Sequence, residues 1–204
     1  MSTEFAGSAP SEDVVDIDGN RYKTVKIGNQ IWMAENLRVL RYNDGTPIEM
    51  EGELDWVRLG GERIGARCHY ENKPENGERY GALYNWFAVN TGKLAPKGWH
   101  VPTDQEWQAL SDACGGDKLA GASLKTDKDW NGNNKSGFSA LPAGYRYHDG
   151  GFRSVGSYVI FWSSTDGGAG LAWGRPLGSG YDFMTPYNAF KKYGCSVRCV
   201  KDGP

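Results

Sequence analysis

Twenty-nine glycines are scattered through the 204 residues, and their frequency limits the fold more than any single motif does. A glycine inside a helix costs about 1 kcal/mol relative to alanine, so a chain broken this often cannot run in long regular helices. It must turn repeatedly. Eight tryptophans stand among those turns. Each brings a large apolar body and one N–H donor, so the chain calls for short elements and many loops around aromatic packing.

The length suits one compact domain with several long loops. The opening MSTEFAGSAPSED, residues 1–13, is small and polar and reads as a flexible leader, with order beginning near Val14 and continuing through 14–204. Met1 to Pro10 lacks the basic start and apolar run of a secretory signal, and no run approaches the roughly 18 apolar residues of a membrane span. A net charge of −2 offers no basic field for a phosphate backbone, which argues against nucleic acid as a partner.

Local signals then place elements along the chain. Asp18-Gly19 and Gly28-Asn29 each sit between extended segments and predict two successive hairpins. From Asn43 to Gly77 turn residues dominate, and the stretch reads as loop. In YGALYNWFAVN, Leu83, Trp86, Phe87 and Asn90 fall near one helical face and predict a helix. VPTDQEWQALSDACGG predicts a second. Thr103 is its N-cap, Glu106 completes a capping box, Trp107, Leu110 and Cys114 share one face, and Gly115-Gly116 stops it. FSALPAGYRY, SYVIFWSST and CSVRCVKD read as strands. In the last, Cys195, Val197 and Cys199 should face inward and Ser196 and Arg198 outward.

Candidates for chemistry are few. The four cysteines allow three full pairings, but in an extended strand Cys195 and Cys199 stand about 13 Å apart, beyond disulfide reach. No second close pair of ligands accompanies them, so a zinc site is not expected. Asp127, Asp129, Asn131 and Asn133 alternate as in the start of a calcium loop. Phe138 occupies the place of the bidentate glutamate, and a solvated turn is the better reading. His69, His100 and His148 have no sequence neighbours from which a catalytic triad could be argued. No catalytic residue, metal ligand or cofactor is assigned.

Several blocks in order carry a resemblance: DIDGNRYKTVKIGNQIWMAENLR, YGALYNWFAVNTGKLAPKGWHVPTDQEWQAL, SGFSALPAGYRYHDGGF, FWSSTD and YGCSVRCVKD. From about Val14 to Asp202 the chain resembles the Fibrobacter succinogenes major paralogous domain family. The resemblance implies an α+β, C-type-lectin-like fold of the formylglycine-generating-enzyme subtype, with small antiparallel sheets, two helices and long loops. Both chain ends would share one sheet, the strand holding Val197 pairing with the strand near Tyr22 to Val25, and Trp99, Trp107 and Trp162 would be largely buried. For some relatives it implies the variable protein of a diversity-generating retroelement, at a cell or virion surface.

On that resemblance GLAWGRPLGSGYDFMTP, residues 170–186, becomes a displayed excursion held between the IFWSST and CSVRCV strands. Retroelement mutagenesis acts on adenines of asparagine codons and yields residue sets without Lys, Glu, Gln, Met or Trp. Within 163–190 only Trp173 and Met184 fall outside that set. Leu171, Trp173, Arg175, Leu177, Tyr181, Asp182, Phe183 and Tyr187 are the candidate ligand-binding residues, expected on one exposed surface facing a protein or cell-surface macromolecule. A copper-dependent oxidase using Cys195 and Cys199, as the fold relative does, is the alternative. A non-variable adhesion or structural module is another.

Overall fold

A computed structural model describes residues 12–50 and 53–203, so the predicted leader, apart from Glu12 and Asp13, lies outside the described residues. Both predicted hairpins form. β1 (Val14–Val15) pairs antiparallel with β2 (Arg21–Tyr22) around Gly19, whose φ of 84° suits glycine. The Asp16 carboxylate accepts from the backbone N–H of Asp18 and Asn20 and from the Tyr22 hydroxyl, closing the turn. β3 (Thr24–Ile27) and β4 (Gln30–Met33) pair across Gly28-Asn29.

The stretch from 43 to 77 is more regular than its sequence indicates. It holds β5 (Glu49–Met50), α1 (Glu53–Glu62), β6 (Ala66–Cys68), a 3-10 turn at Tyr70–Asn72 and α2 (Pro74–Tyr80). Both helices are masked by residues that usually end helices: Gly60 and Gly61 in one, Pro74 and Gly77 in the other. Trp56 and Leu59, three residues apart, form the buried side of α1. Gly77 is there for close approach, since a Cβ on it would stand 2.5 Å from the His69 ring.

Next comes β7 (Leu83–Tyr84), then a single turn of helix, α3 (Trp86–Val89), capped by the Asn85 side chain accepting from the Ala88 N–H at 3.0 Å. The helix expected over this region is therefore shortened, and Leu83 belongs to a strand. After β8 (Trp99–His100), α4 (Asp104–Ala113) forms as predicted, with both halves of the Thr103–Glu106 capping box present and Trp107 and Leu110 buried. Gly115 and Gly116, at φ 101° and 84°, carry the chain away. Then come α5 (Ala120–Leu124), β9 (Ala143–Arg146), β10 (Phe152–Val155), β11 (Tyr158–Asp166), β12 (Leu171–Gly178), β13 (Tyr187–Phe190) and β14 (Val200–Lys201).

Two larger sheets organise these pieces, one of five strands in the order β10-β9-β11-β12-β13 and one of four in the order β3-β4-β14-β8. The early hairpin and the last strand thus share a sheet. Their pairing differs from expectation: Val200 lies opposite Trp32 of β4 and His100 of β8, leaving β3 one strand away. Trp107 packs against Trp32 with centroids 4.8 Å apart and against Phe138 and Phe161, while its Nε1–H donates to the Trp162 carbonyl. Trp107 and Trp162 are fully buried, whereas Trp99 is partly exposed.

The segment before β14 corrects the predicted alternation. Ser196 and Arg198 are as buried as Cys195, Val197 and Cys199, because the segment has protein on both sides. Its backbone bonds Tyr84, Ile160 and Leu37 in turn. The Arg198 guanidinium donates to the Asn36 side chain and to the carbonyls of Met33, Phe138 and Ser139, with the Phe138 ring 4.4 Å away. Burial pulls its pKa down to about 9. All four cysteines are free and buried.

Candidate functional site

The strand β12 divides the predicted binding residues. Its register places Arg175 opposite Phe161 and Leu177 opposite Val159, on the face that α4 covers. The Arg175 guanidinium bonds the Asp104 carboxylate at 2.8 Å, the Gln108 side chain and the Met184 carbonyl, and Leu177 packs in the cluster with Trp107 and Phe161. Both residues are 0% exposed, which removes Arg175 and Leu177 from the expected exposed surface. Leu171 and Trp173, farther along the strand, remain half-buried. Alternation puts all four on one face, so the division follows how far the covering elements reach: every position from Gly174 to Gly178 is buried on both faces of the strand.

The rest of the predicted set stays accessible. Phe183 and Tyr187 are 40% and 41% exposed, Asp182 is exposed and Tyr181 half-buried. The Tyr181 and Phe183 rings stack at 3.8 Å, 7° from parallel. This loop is held from below. The side chain of Lys125, fully buried, extends its ammonium to the carbonyls of Gly178 (3.1 Å) and Tyr181 (2.8 Å), the Asp182 carboxylate (3.0 Å) and the Asn131 side chain (3.2 Å). Gly121 approaches so closely that a Cβ would stand 2.7 Å from the Asp182 carbonyl oxygen, while its N–H donates to that oxygen at 2.8 Å. Met184 is buried and anchors the far end through its N–H to Asp117.

Around this loop lies an aromatic face whose full extent sequence reasoning missed. Tyr145 contacts Tyr147, Tyr158 and Tyr193 at ring separations of 6.5, 6.1 and 5.7 Å. Tyr147 lies against His148 at 4.2 Å with the rings tilted by 37°, and His148 meets Phe190 edge-on at 5.4 Å. The Tyr158 and Tyr181 hydroxyls are close enough to perturb each other's pKa, joining this cluster to the loop. Burial raises the phenol pKa of Tyr145, Tyr158, Tyr181 and Tyr187, so all four stay neutral at ordinary pH. A signal existed in GYRYHDGG, where Tyr145 and Tyr147 stand two apart before the Asp149-Gly150 turn. It specified a strand without showing which distant rings would join it.

The other predicted chemistry disperses. His69 packs on Gly77, and His100 lies between the carboxylates of Asp202 (2.6 Å) and Glu106 (2.7 Å). Those carboxylates are brought to it by the terminal strand and by the capping box of α4, a meeting that sequence neighbours could not reveal. Among the described residues, no group of three or more His, Cys, Asp or Glu side chains is placed to hold a metal ion, and no helix is long and apolar enough to cross a membrane.

Fold and site together define a mixed α+β protein, mostly small sheets with few helices, that presents a supported aromatic face. The chain belongs to the Fibrobacter succinogenes major domain family, whose profile matches residues 25–201. No curated protein and no solved structure matches it.

Proposed function

We propose that the chain is a non-catalytic recognition module of C-type-lectin-like fold that binds a protein or other cell-surface macromolecule through its aromatic face and the adjoining 178–187 loop. The contiguous, partly exposed ring network from Phe183 to Phe190 carries this reading. Tyrosine and phenylalanine offer large contact areas with little rotamer entropy to lose, and tyrosine is enriched where binding energy concentrates. The buried Lys125 tether adds support, because a loop ordered before binding loses less entropy on association.

Diversification by a retroelement is the origin we assign to the loop. Its exposed positions, including Ser179, Asp182, Phe183, Thr185 and Tyr187, all belong to the residue set reachable from asparagine codons, whereas Met184, outside that set, is buried. Trp173, the other exception, is half-buried on the strand below. Burial at Pro176 and Leu177 restricts the displayed part to the residues after Gly178. The copper-oxidase reading is weaker: Cys195 and Cys199 are buried, and burial holds both thiols far above their usual pKa.

The test pairs a Tyr187→Ala/Phe190→Ala variant with the wild-type chain in capture from a cell-surface extract. The double variant should melt near the wild-type temperature, because both side chains are more than 40% exposed, and should lose the captured partner. A folded double variant that captures the same partner equally well refutes the aromatic face. For the origin of the loop, a gene neighbourhood without a reverse transcriptase and a near-copy of the final coding stretch refutes diversification.

A further inference from the structure

The end of α1 breaks two local rules. Arg63 occupies the left-handed cap position at φ 60°, where glycine is usual, with the Ile64 N–H bonded back to the Leu59 carbonyl at 2.9 Å. Glycines stand instead inside the last turn. Gly60 has a packing reason, since a Cβ there would press on the Lys192 stem at 3.2 Å. Gly61 has none: nothing lies within 4 Å of its missing Cβ, and it weakens the helix by about 1 kcal/mol relative to alanine. Departures of this kind gather at functional sites.

Gly61 lines a cleft of about 700 Å³ between this helix end, α3 and the 166–170 turn, within the size range of small-molecule sites. Phe87, half-buried, supplies a ring on its wall. Lys191 is immobilised there, its ammonium 4.5 Å from the Trp86 ring centroid and 2.7 Å from the Asp166 carboxylate. Arg63 and Lys192 reach the same cleft, and neither has a carboxylate partner among the described residues. Three cations against one carboxylate leave a local excess of positive charge in a chain of net charge −2.

We propose that this cleft binds a small ring-bearing carboxylate. Arg63 and Lys192 hold the anionic group, the ring rests against Phe87, and the bare Gly61 keeps the entrance open. Lys191, already paired with Asp166, shapes the wall and contributes little net charge. Aromatic acids and acidic sugars share this chemistry. The site is independent of the aromatic face and stands or falls without it.

Calorimetric titration of the full chain at low salt with benzoate, glucuronate, acetate and sulfate tests the proposal. One of the two ring acids should bind saturably and at least tenfold tighter than acetate or sulfate, and which one does so identifies the source. Arg63→Ala/Lys192→Ala should weaken it tenfold or more without changing the melting temperature, as both residues are exposed. Gly61→Leu should block binding while the melting temperature holds or rises. Failure of both ring acids to saturate, equal binding of acetate or sulfate, wild-type affinity in either variant, or a lower melting temperature for Gly61→Leu would each overturn it.

Discussion

Replacing Lys125 by methionine keeps the aliphatic stem and removes only the ammonium that gathers the 178–182 loop. Two large quantities oppose each other. Burying an ammonium costs several kcal/mol even after relaxation, and the variant regains that. Against it, hydrogen bonds from a charged donor contribute about 1.5–3 kcal/mol each, and this ammonium faces four acceptors. The acceptors remain after the substitution. Asp182 is exposed enough to be rehydrated, but Gly178 is buried and its carbonyl is left without its donor, at about 1–3 kcal/mol. The net is a loss of about 2–4 kcal/mol, or about 5–15 °C in Tm for a chain of this length. Thermal melting measures the total, and hydrogen exchange locates it: amides of residues 178–184 should exchange faster while those of β4 and β11 keep their order. A Lys125→Met chain that melts at or above wild type would show that desolvation outweighs the bonds, and the loop would need another anchor.

Trp107→Ala should destabilise the chain by about 3–5 kcal/mol, because it empties the space between Trp32, Phe138 and Phe161 and removes the donor to the Trp162 carbonyl; a loss below about 1 kcal/mol in urea unfolding would make it peripheral. Leu177→Ala should cost about 2–5 kcal/mol and Tyr187→Ala under about 0.5 kcal/mol, so equal Tm values for the two would contradict the division of β12 from the aromatic face. At His100, partial burial disfavours the charged form, but the bonds to Asp202 and Glu106 prevail and raise the pKa. Its contribution is therefore complete below about pH 6.5, the unfolded value, and is lost as pH rises through the folded value. The Tm advantage of wild type over His100→Gln should shrink on going from mildly acid to alkaline buffer, and a constant difference would deny the carboxylates that role.

What could be read along the chain was whatever a few neighbouring residues decide. The Asp18-Gly19 and Gly28-Asn29 hairpins and the Thr103–Glu106 capping box are set by backbone preferences and hydrogen bonds spanning two to four residues, and they appear where predicted. Order of the blocks also sufficed for the family. Where local chemistry pointed away from the tertiary outcome, prediction failed. Glycine and proline concealed α1 and α2: α1 is held by Trp56 and Leu59 meeting a core supplied by other segments, and α2 by the close approach of Gly77 to the His69 ring. Ser196 and Arg198 look like the solvent side of a strand, yet carbonyls from Met33, Phe138 and Ser139 receive the guanidinium inside the protein. Arg175 and Leu177 were assigned to the surface because α4, some seventy residues earlier, could not be known to cover them. The aromatic face depended most on tertiary structure: Tyr145, Tyr158, Tyr181, Phe190 and Tyr193 come from separate strands and turns. Side-chain identity is local, but which rings share a face depends on strand order and register, and those are settled only when the whole chain packs.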